Sequence, residues 1–203
     1  MCFYSQLSVR GASIIKKEWG LTGEIIAGNF SGFEHPFTSV ITDQKPSVCV
    51  SMQWGLIPNW AKDTSFQNHT LNAKIETLYE KPSFRDAKRC LVFADSFYEW
   101  KWLDTKGKNK EKHEISLDQK VPFVYAGVWD EWWDNTTNEK RLSYAIVTTE
   151  AQGIMREIHN SKLRMPVVVS PEEHKKWLSG GTVLPIAEFQ AISLEAQGQF
   201  KFW

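Results

Sequence analysis

The stretch Cys90-Leu-Val-Phe-Ala-Asp-Ser-Phe-Tyr-Glu-Trp-Lys-Trp-Leu103 decides the fold. It reads as two β-strands, Cys90–Ala94 and Phe97–Leu103, rich in the β-branched and aromatic residues that suit a pleated, partly buried surface. Downstream, His113–Leu117, Phe123–Trp129 and Leu142–Thr148 share that composition. Upstream, Ser39–Thr42 and Ser47–Trp54 read as strands around the turn-rich Asp43-Gln44-Lys45-Pro46. The expected helices are short. Gly11–Trp19 carries Ile14, Ile15 and Trp19 on one side and stops at Gly20. Pro58–Asn72 reads as a surface segment with a turn of helix, Ala73–Glu80 as helical, and Pro82 as the opening of a helix to Lys88. Gln152–Ile158 reads as a helix and Met165–Ser170 as a strand. Ser170-Pro171-Glu172-Glu173 then supplies a cap serine, a proline at the first helical position and a glutamate three residues after the cap. Gly180 and Gly181 end that helix, and Phe189–Leu194 closes the sheet. Runs of strands with interspersed helices, and no regular βαβ alternation, give an α+β fold: a mixed, largely antiparallel sheet core with several short flanking helices. No repeat, low-complexity tract or linker divides residues 1–203, so one domain is expected.

Composition narrows the function. Lys+Arg and Asp+Glu are 24 each, which argues against coating nucleic acid by charge alone. Residues 81–112 nevertheless hold nine Lys/Arg against five Asp/Glu, either a solvated surface segment or a patch for a phosphate backbone. Ten tryptophans are unusual; most belong in a core, but tryptophan is also a platform for unpaired bases. No stretch approaches the roughly 18 apolar residues of a membrane span, and the N-terminus has no signal-peptide pattern. Three cysteines at 2, 49 and 90 form neither a metal-ligand spacing nor a disulfide framework, so a cytoplasmic protein without a bound metal is expected.

Five sites carry possible chemistry. Removal of Met1 would leave Cys2 with a free α-amine and a thiol, of reference pKa about 7.7–8.0 and 8.5, a pair able to condense with an aldehyde and close a thiazolidine ring. Glu99 lies among aromatics; facing inward its pKa rises and it serves as an acid or base, whereas alternation with Tyr98 and Trp100 would turn it to solvent. Asn72 is either the cap of the following helix or an amide that donates and accepts at once. His159 either complements a helix end or moves protons, and Arg164 either meets a phosphate or forms an ion pair. Trp54 fits a core, while Trp60, in polar surroundings, is the better stacking residue.

The order of these motifs is specific. Met1-Cys2 is followed by Trp54-Gly-Leu-Ile-Pro-Asn-Trp-Ala-Lys-Asp63, Asn72-Ala-Lys-Ile-Glu-Thr77, Arg89 to Trp100, Ile146-Val-Thr-Thr149, then His159 and Arg164-Met-Pro166. From residue 2 to about 170 the chain resembles the SRAP (SOS response-associated peptidase) family of abasic-site-processing proteins. The resemblance implies a cofactor-free protein that captures abasic sites in single-stranded DNA as a covalent thiazolidine cross-link and shields them, with an associated lyase activity possible; nothing in the sequence suggests an obligate interface, so a monomer is expected. It makes Cys2 the nucleophile, Asn72 the group that positions the opened sugar and the amine, and Glu99 the group that orients or deprotonates the amine. It gives His159 the proton transfers of ring opening, Lys74, Arg85 and Arg164 the phosphates, Trp60 the stacking and Tyr4 the backing of the site.

Three departures stand out. Phe3 and Tyr4 occupy positions where the family often has Gly and Arg, which removes a phosphate contact. Lys74 replaces an arginine, exchanging a bidentate fork for a point charge. Asn160-Ser-Lys-Leu163 lengthens the spacing from His159 to Arg164, so this loop has to bulge outward if His159 is to keep its place. Two rival functions use the same residues: an N-terminal-nucleophile thiol peptidase, which needs a peptide groove and an oxyanion hole, and a non-covalent single-strand binder, indifferent to Cys2→Ala.

Overall fold

A computed structural model of the chain describes residues 2–194. In order, its elements are β1 (Tyr4–Leu7), α1 (Val9–Trp19), β2 (Gly28–Ser31), β3 (Phe37–Thr42), β4 (Val50–Trp54), β5 (Asn72–Lys74), β6 (Lys88–Ala94), β7 (Ser96–Trp102) and β8 (Lys110–Ser116). Then come β9 (Phe123–Asp134), β10 (Glu139–Glu150), α2 (Met155–Ile158), β11 (Arg164–Pro166), β12 (Val168–Val169), α3 (His174–Leu178) and β13 (Gln190–Ser193). Strands β4, β3, β6, β9 and β10 pair in antiparallel succession, and β10 returns to pair in parallel with β4, closing a small barrel. Beside it lies a five-stranded antiparallel sheet in the order β13-β8-β7-β1-β2. The α+β reading with a largely antiparallel core is therefore what the chain adopts.

The apolar runs explain the barrel. Along β6, Cys90, Val92 and Ala94 join one apolar cluster while Leu91 and Phe93 join another. Along β9, Tyr125 and Trp129 separate in the same way from Val124, Ala126 and Val128. An uninterrupted apolar run is thus a strand buried on both faces. The first cluster includes Phe97 and Ile115 of the second sheet; the second includes Ala12 and Ile15 of α1 and Trp177 of α3. Each such side chain, fully buried, contributes about 1.5–3 kcal/mol.

Asp95 is the single residue between β6 in the barrel and β7 in the second sheet. Its backbone N–H donates to the Gln6 carbonyl (2.9 Å), and its Oδ2 accepts from the Ser8 N–H (2.9 Å) and the Ser8 hydroxyl. Ser8 in turn caps α1 by accepting from the Gly11 N–H. A Cβ at Gly11 would stand 2.5 Å from that same carboxylate oxygen, so glycine is what lets the helix start so close. Through these bonds β1, and with it the N-terminal end, is anchored to the barrel.

Several expected elements take other forms. The helix expected over Ala73–Glu80 is instead β5 followed by a 3-10 turn at Ile75–Thr77, because Asn72–Lys74 pairs with Ile146–Thr148 of β10 and long-range pairing outweighs local propensity. Pro82 opens turns rather than a helix, and Lys88 already belongs to β6. The expected helix at 152–158 shortens to α2. The helix expected after Ser170 begins as a 3-10 turn whose backbone N–H groups are not capped by the serine side chain, and the strand expected at 165–170 is divided into β11 and β12. Strands β1 and β2 were not foreseen. Among the described residues no helix is long and apolar enough to cross a membrane.

Candidate active site

Four segments remote in sequence meet at the N-terminal end. Cys2 immediately precedes β1 and is fully buried, its thiol donating weakly to the Tyr4 carbonyl (3.9 Å). Asn72, at the start of β5, donates from Nδ2 to the Cys2 carbonyl (2.9 Å). Its Oδ1 is buried and accepts no hydrogen bond among the described residues. Glu99 on β7 and His159 just after α2 are each 6% exposed, with His159 Nε2 3.8 Å from Glu99 Oε2. Glu99 and His159 line a hollow of about 330 Å³ together with Phe3, Tyr4, Trp100 and Trp102.

Burial sets the electrostatics. It pushes the Glu99 carboxyl up to about 7, so that near neutrality both of its forms are populated. The Cys2 thiol is pushed up to about 12, by burial and then by the charge of Glu99. His159 is pulled down to about 4 by burial, with Arg164 and Lys162 adding to the effect, so its ring is neutral at neutral pH. The tautomer follows from one bond. The backbone N–H of Arg164 donates to His159 Nδ1 (3.0 Å), which leaves the proton on Nε2, the nitrogen facing Glu99.

The loop after His159 turns back on itself. The Leu163 N–H donates to the His159 carbonyl (2.9 Å), and Leu163 takes the left-handed conformation that reverses the chain (φ 52°). Asn160 fastens the loop to β7: Oδ1 accepts from the Trp102 N–H (3.0 Å) and Nδ2 donates to the Trp102 carbonyl (2.9 Å). An amide side chain thus takes the place of a neighbouring strand.

Cys2, Tyr4, Glu99 and His159 therefore come together, with Asn72 bonded to Cys2. Two of the open alternatives are decided. Asn72 is not a helix cap, since no helix follows it, and Glu99 does not face solvent, since Phe97 and Glu99 point inward while Tyr98 and Trp100 are the half-buried pair. Arg164 is engaged in a bidentate pair with Glu76 (2.7 and 2.8 Å) and also donates to the Thr148 carbonyl (2.7 Å). Lys74 is exposed at the end of β5. Trp60, 50% exposed, packs edge-on against Phe66 and donates to the Pro82 carbonyl; Arg85 is exposed and pairs with Asp86. Neither Trp60 nor Arg85 lines the hollow. Trp100, Trp102 and Asn160 were not singled out as site residues; alternation around Glu99 points to the two tryptophans, while nothing local marks Asn160.

Comparison with known proteins identifies the family. A family model described as SOS response associated peptidase (SRAP) matches residues 11–201. The abasic site processing protein YoqW of Bacillus subtilis (strain 168) is 41% identical over 145 residues, 70% of this chain and 62% of that protein. The abasic site processing protein HMCES of Mus musculus is 29% identical over 173 residues, 70% of this chain and 48% of that protein. The chain thus matches less than two thirds of the length of these relatives. A solved structure of a Bacteroides thetaiotaomicron protein superposes with a TM-score of 0.83 at 28% identity, covering 95% of this chain and 91% of that one. The family match spans nearly the whole length, and this chain belongs to the SOS response associated peptidase (SRAP) family.

Proposed function

We propose that this protein captures abasic sites in single-stranded DNA as a covalent thiazolidine at Cys2, after removal of Met1. The abasic sugar in its open form is an aldehyde at C1′. The Cys2 α-amine adds to that carbon, and the carbinolamine loses water as an acid protonates the departing oxygen, leaving an iminium. The Cys2 sulfur then bonds to C1′, its proton passes to a base, and the C=N electron pair returns to nitrogen. Aldehyde and aminothiol become thiazolidine and water, with no change of oxidation state.

The observation that carries this reading is the meeting of Cys2 with a carboxyl poised near neutrality. Glu99, at about 7, is able both to give the proton that expels water and to take the one that sulfur releases. His159, neutral and with its Nε2–H toward Glu99, supports the carboxylate and takes part in proton movement during ring opening. Asn72 fixes Cys2 through its carbonyl, and its buried Oδ1 is an acceptor for an amine N–H or a sugar hydroxyl. Lys74, Arg85 and Arg164 are assigned to phosphates, Trp60 to stacking and Tyr4 to the wall beside Cys2. A thiol held up to about 12 favours attack by the amine first, and counts against a thiol peptidase, whose nucleophile needs a lowered pKa. The names of the abasic site processing relatives support the same reading.

The test is intact mass before and after incubation with a single-stranded oligonucleotide bearing one abasic site. Loss of Met1, followed by a DNA-sized adduct that is absent with Cys2→Ala, is expected. A processed N-terminus that forms no adduct overturns the proposal.

A further inference from the structure

We infer that a second hollow, separated from the first by Tyr4, receives the nucleobase next to the abasic sugar. This inference rests on the abasic-site reading above and assigns the neighbouring subsite. The second hollow has a volume of about 380 Å³ and is bounded by Tyr4, Tyr98, Asn29, Glu34 and Lys112. Tyr4 borders both hollows, which places them on either side of one aromatic ring.

The strand register builds this arrangement. Tyr4 of β1 pairs with Tyr98 of β7, and Trp100, two residues on, pairs with Lys112 of β8. Tyr98 and Trp100 therefore share one face of the sheet, with Tyr98 at the second hollow and Trp100 at the first. The Lys112 ammonium, in the lining of the second hollow, lies 4.4 Å from the Tyr98 ring centroid and 5.5 Å from that of Trp100, which lines the first. A cation between a sugar site and a base site is where the phosphodiester joining two nucleotides passes. The Tyr4 ring packs edge-on against Trp100 (4.9 Å), and the Tyr98 hydroxyl donates to Gln6 Oε1 (2.5 Å), so the aromatic walls are fixed before anything binds.

The polar groups select the occupant. Glu34 is a carboxylate that repels a phosphate and accepts from an amine. Asn29 offers a donor and an acceptor side by side, as a base edge requires. A planar, uncharged heterocycle with an exocyclic amine fits this set, which makes cytosine, adenine and guanine better neighbours of the lesion than thymine.

Capture rates of single-stranded oligonucleotides with one abasic site test this. The neighbouring base, 5′ or 3′, is either cytosine or replaced by a tetrahydrofuran spacer. The wild type is expected to react about tenfold more slowly when the base is missing on one side. The Glu34→Gln/Tyr98→Ala protein, which loses the carboxylate and one aromatic wall of the second hollow and no residue lining the first, is expected to form adducts but to have lost that dependence. Rates indifferent to both neighbouring bases, or a dependence that survives in the double variant, overturn the inference. A wild type that forms no adduct with any of these oligonucleotides overturns the abasic-site reading itself, and the subsite with it.

Discussion

Replacing Glu99 by glutamine should make the protein more stable at alkaline pH and leave its stability unchanged in acid. The carboxyl has a folded-state pKa of about 7, raised by burial, against about 4.3 in an unfolded chain. Between those values the folded state binds the extra proton. The stability this contributes is fully present below the unfolded pKa and is lost as pH rises through the folded one. A shift of that size corresponds to about 3.7 kcal/mol, of which about 3 kcal/mol is lost between pH 4.5 and 8.5. The side chain is almost fully enclosed, so solvent screening removes little of it. Glutamine keeps the shape of the neutral acid and cannot ionise. The unfolding free energy of Glu99→Gln should therefore match the wild type near pH 4.5 and exceed it by about 3 kcal/mol near pH 8.5. His159 has the opposite linkage: its folded pKa is lowered, so its contribution is lost as pH falls from about 6.5 towards 4. That loss is common to both proteins and cancels in the difference, apart from the coupling across the 3.8 Å contact. Urea unfolding at a series of pH values measures the difference directly. A gap that stays constant with pH would refute the assignment of a neutrality-poised carboxyl at this position, and with it the proton-transfer role given to Glu99.

Three further outcomes are expected. Asn160→Ala removes both hydrogen bonds to Trp102 and should cost about 1–2 kcal/mol in thermal or urea unfolding, while slowing adduct formation because the wall beside His159 loosens. Glu76→Gln weakens the bidentate hold on Arg164, and anisotropy titrations of undamaged single strands at two salt concentrations should show tighter binding with a salt slope steeper by about one. Trp60→Ala should weaken single-strand binding about fivefold or more, with a modest fall in melting temperature from the lost contacts to Phe66 and the Pro82 carbonyl.

The barrel strands were legible because their apolar runs are long and bounded by turns, as at Cys90–Ala94 and Phe123–Trp129. The short β1 was not: four residues with an alternating, half-polar pattern gain their strand character only by lying between β2 and β7. Glu99 shows a second limit. Alternation along β7 assigns Phe97 and Glu99 to one face and Tyr98 and Trp100 to the other, but which face is inside depends on where the barrel lies. Asn72 shows a third, because its neighbours do have helical propensity and the pairing of β5 with β10 overrides it.

The lengthened segment after His159 makes the physical distinction clearest. Sequence spacing gives the contour length between a histidine and the next strand, not the place where slack is stored. Here His159 is held from both directions: its backbone N–H donates to the carbonyl of Met155, the first residue of α2, and its Nδ1 accepts from the first N–H of β11. The second of these is set by the register of β11 on β10, where Arg164 lies opposite Glu150. Any loop that lets Arg164 reach that register also delivers its N–H to the imidazole. The number of residues between His159 and Arg164 is thus free to vary so long as the loop can turn back on itself, which Leu163 does by its left-handed backbone and Asn160 secures by clasping Trp102. The constraint that preserves the site acts on strand register and on one amide, and neither is visible in a count of residues between motifs.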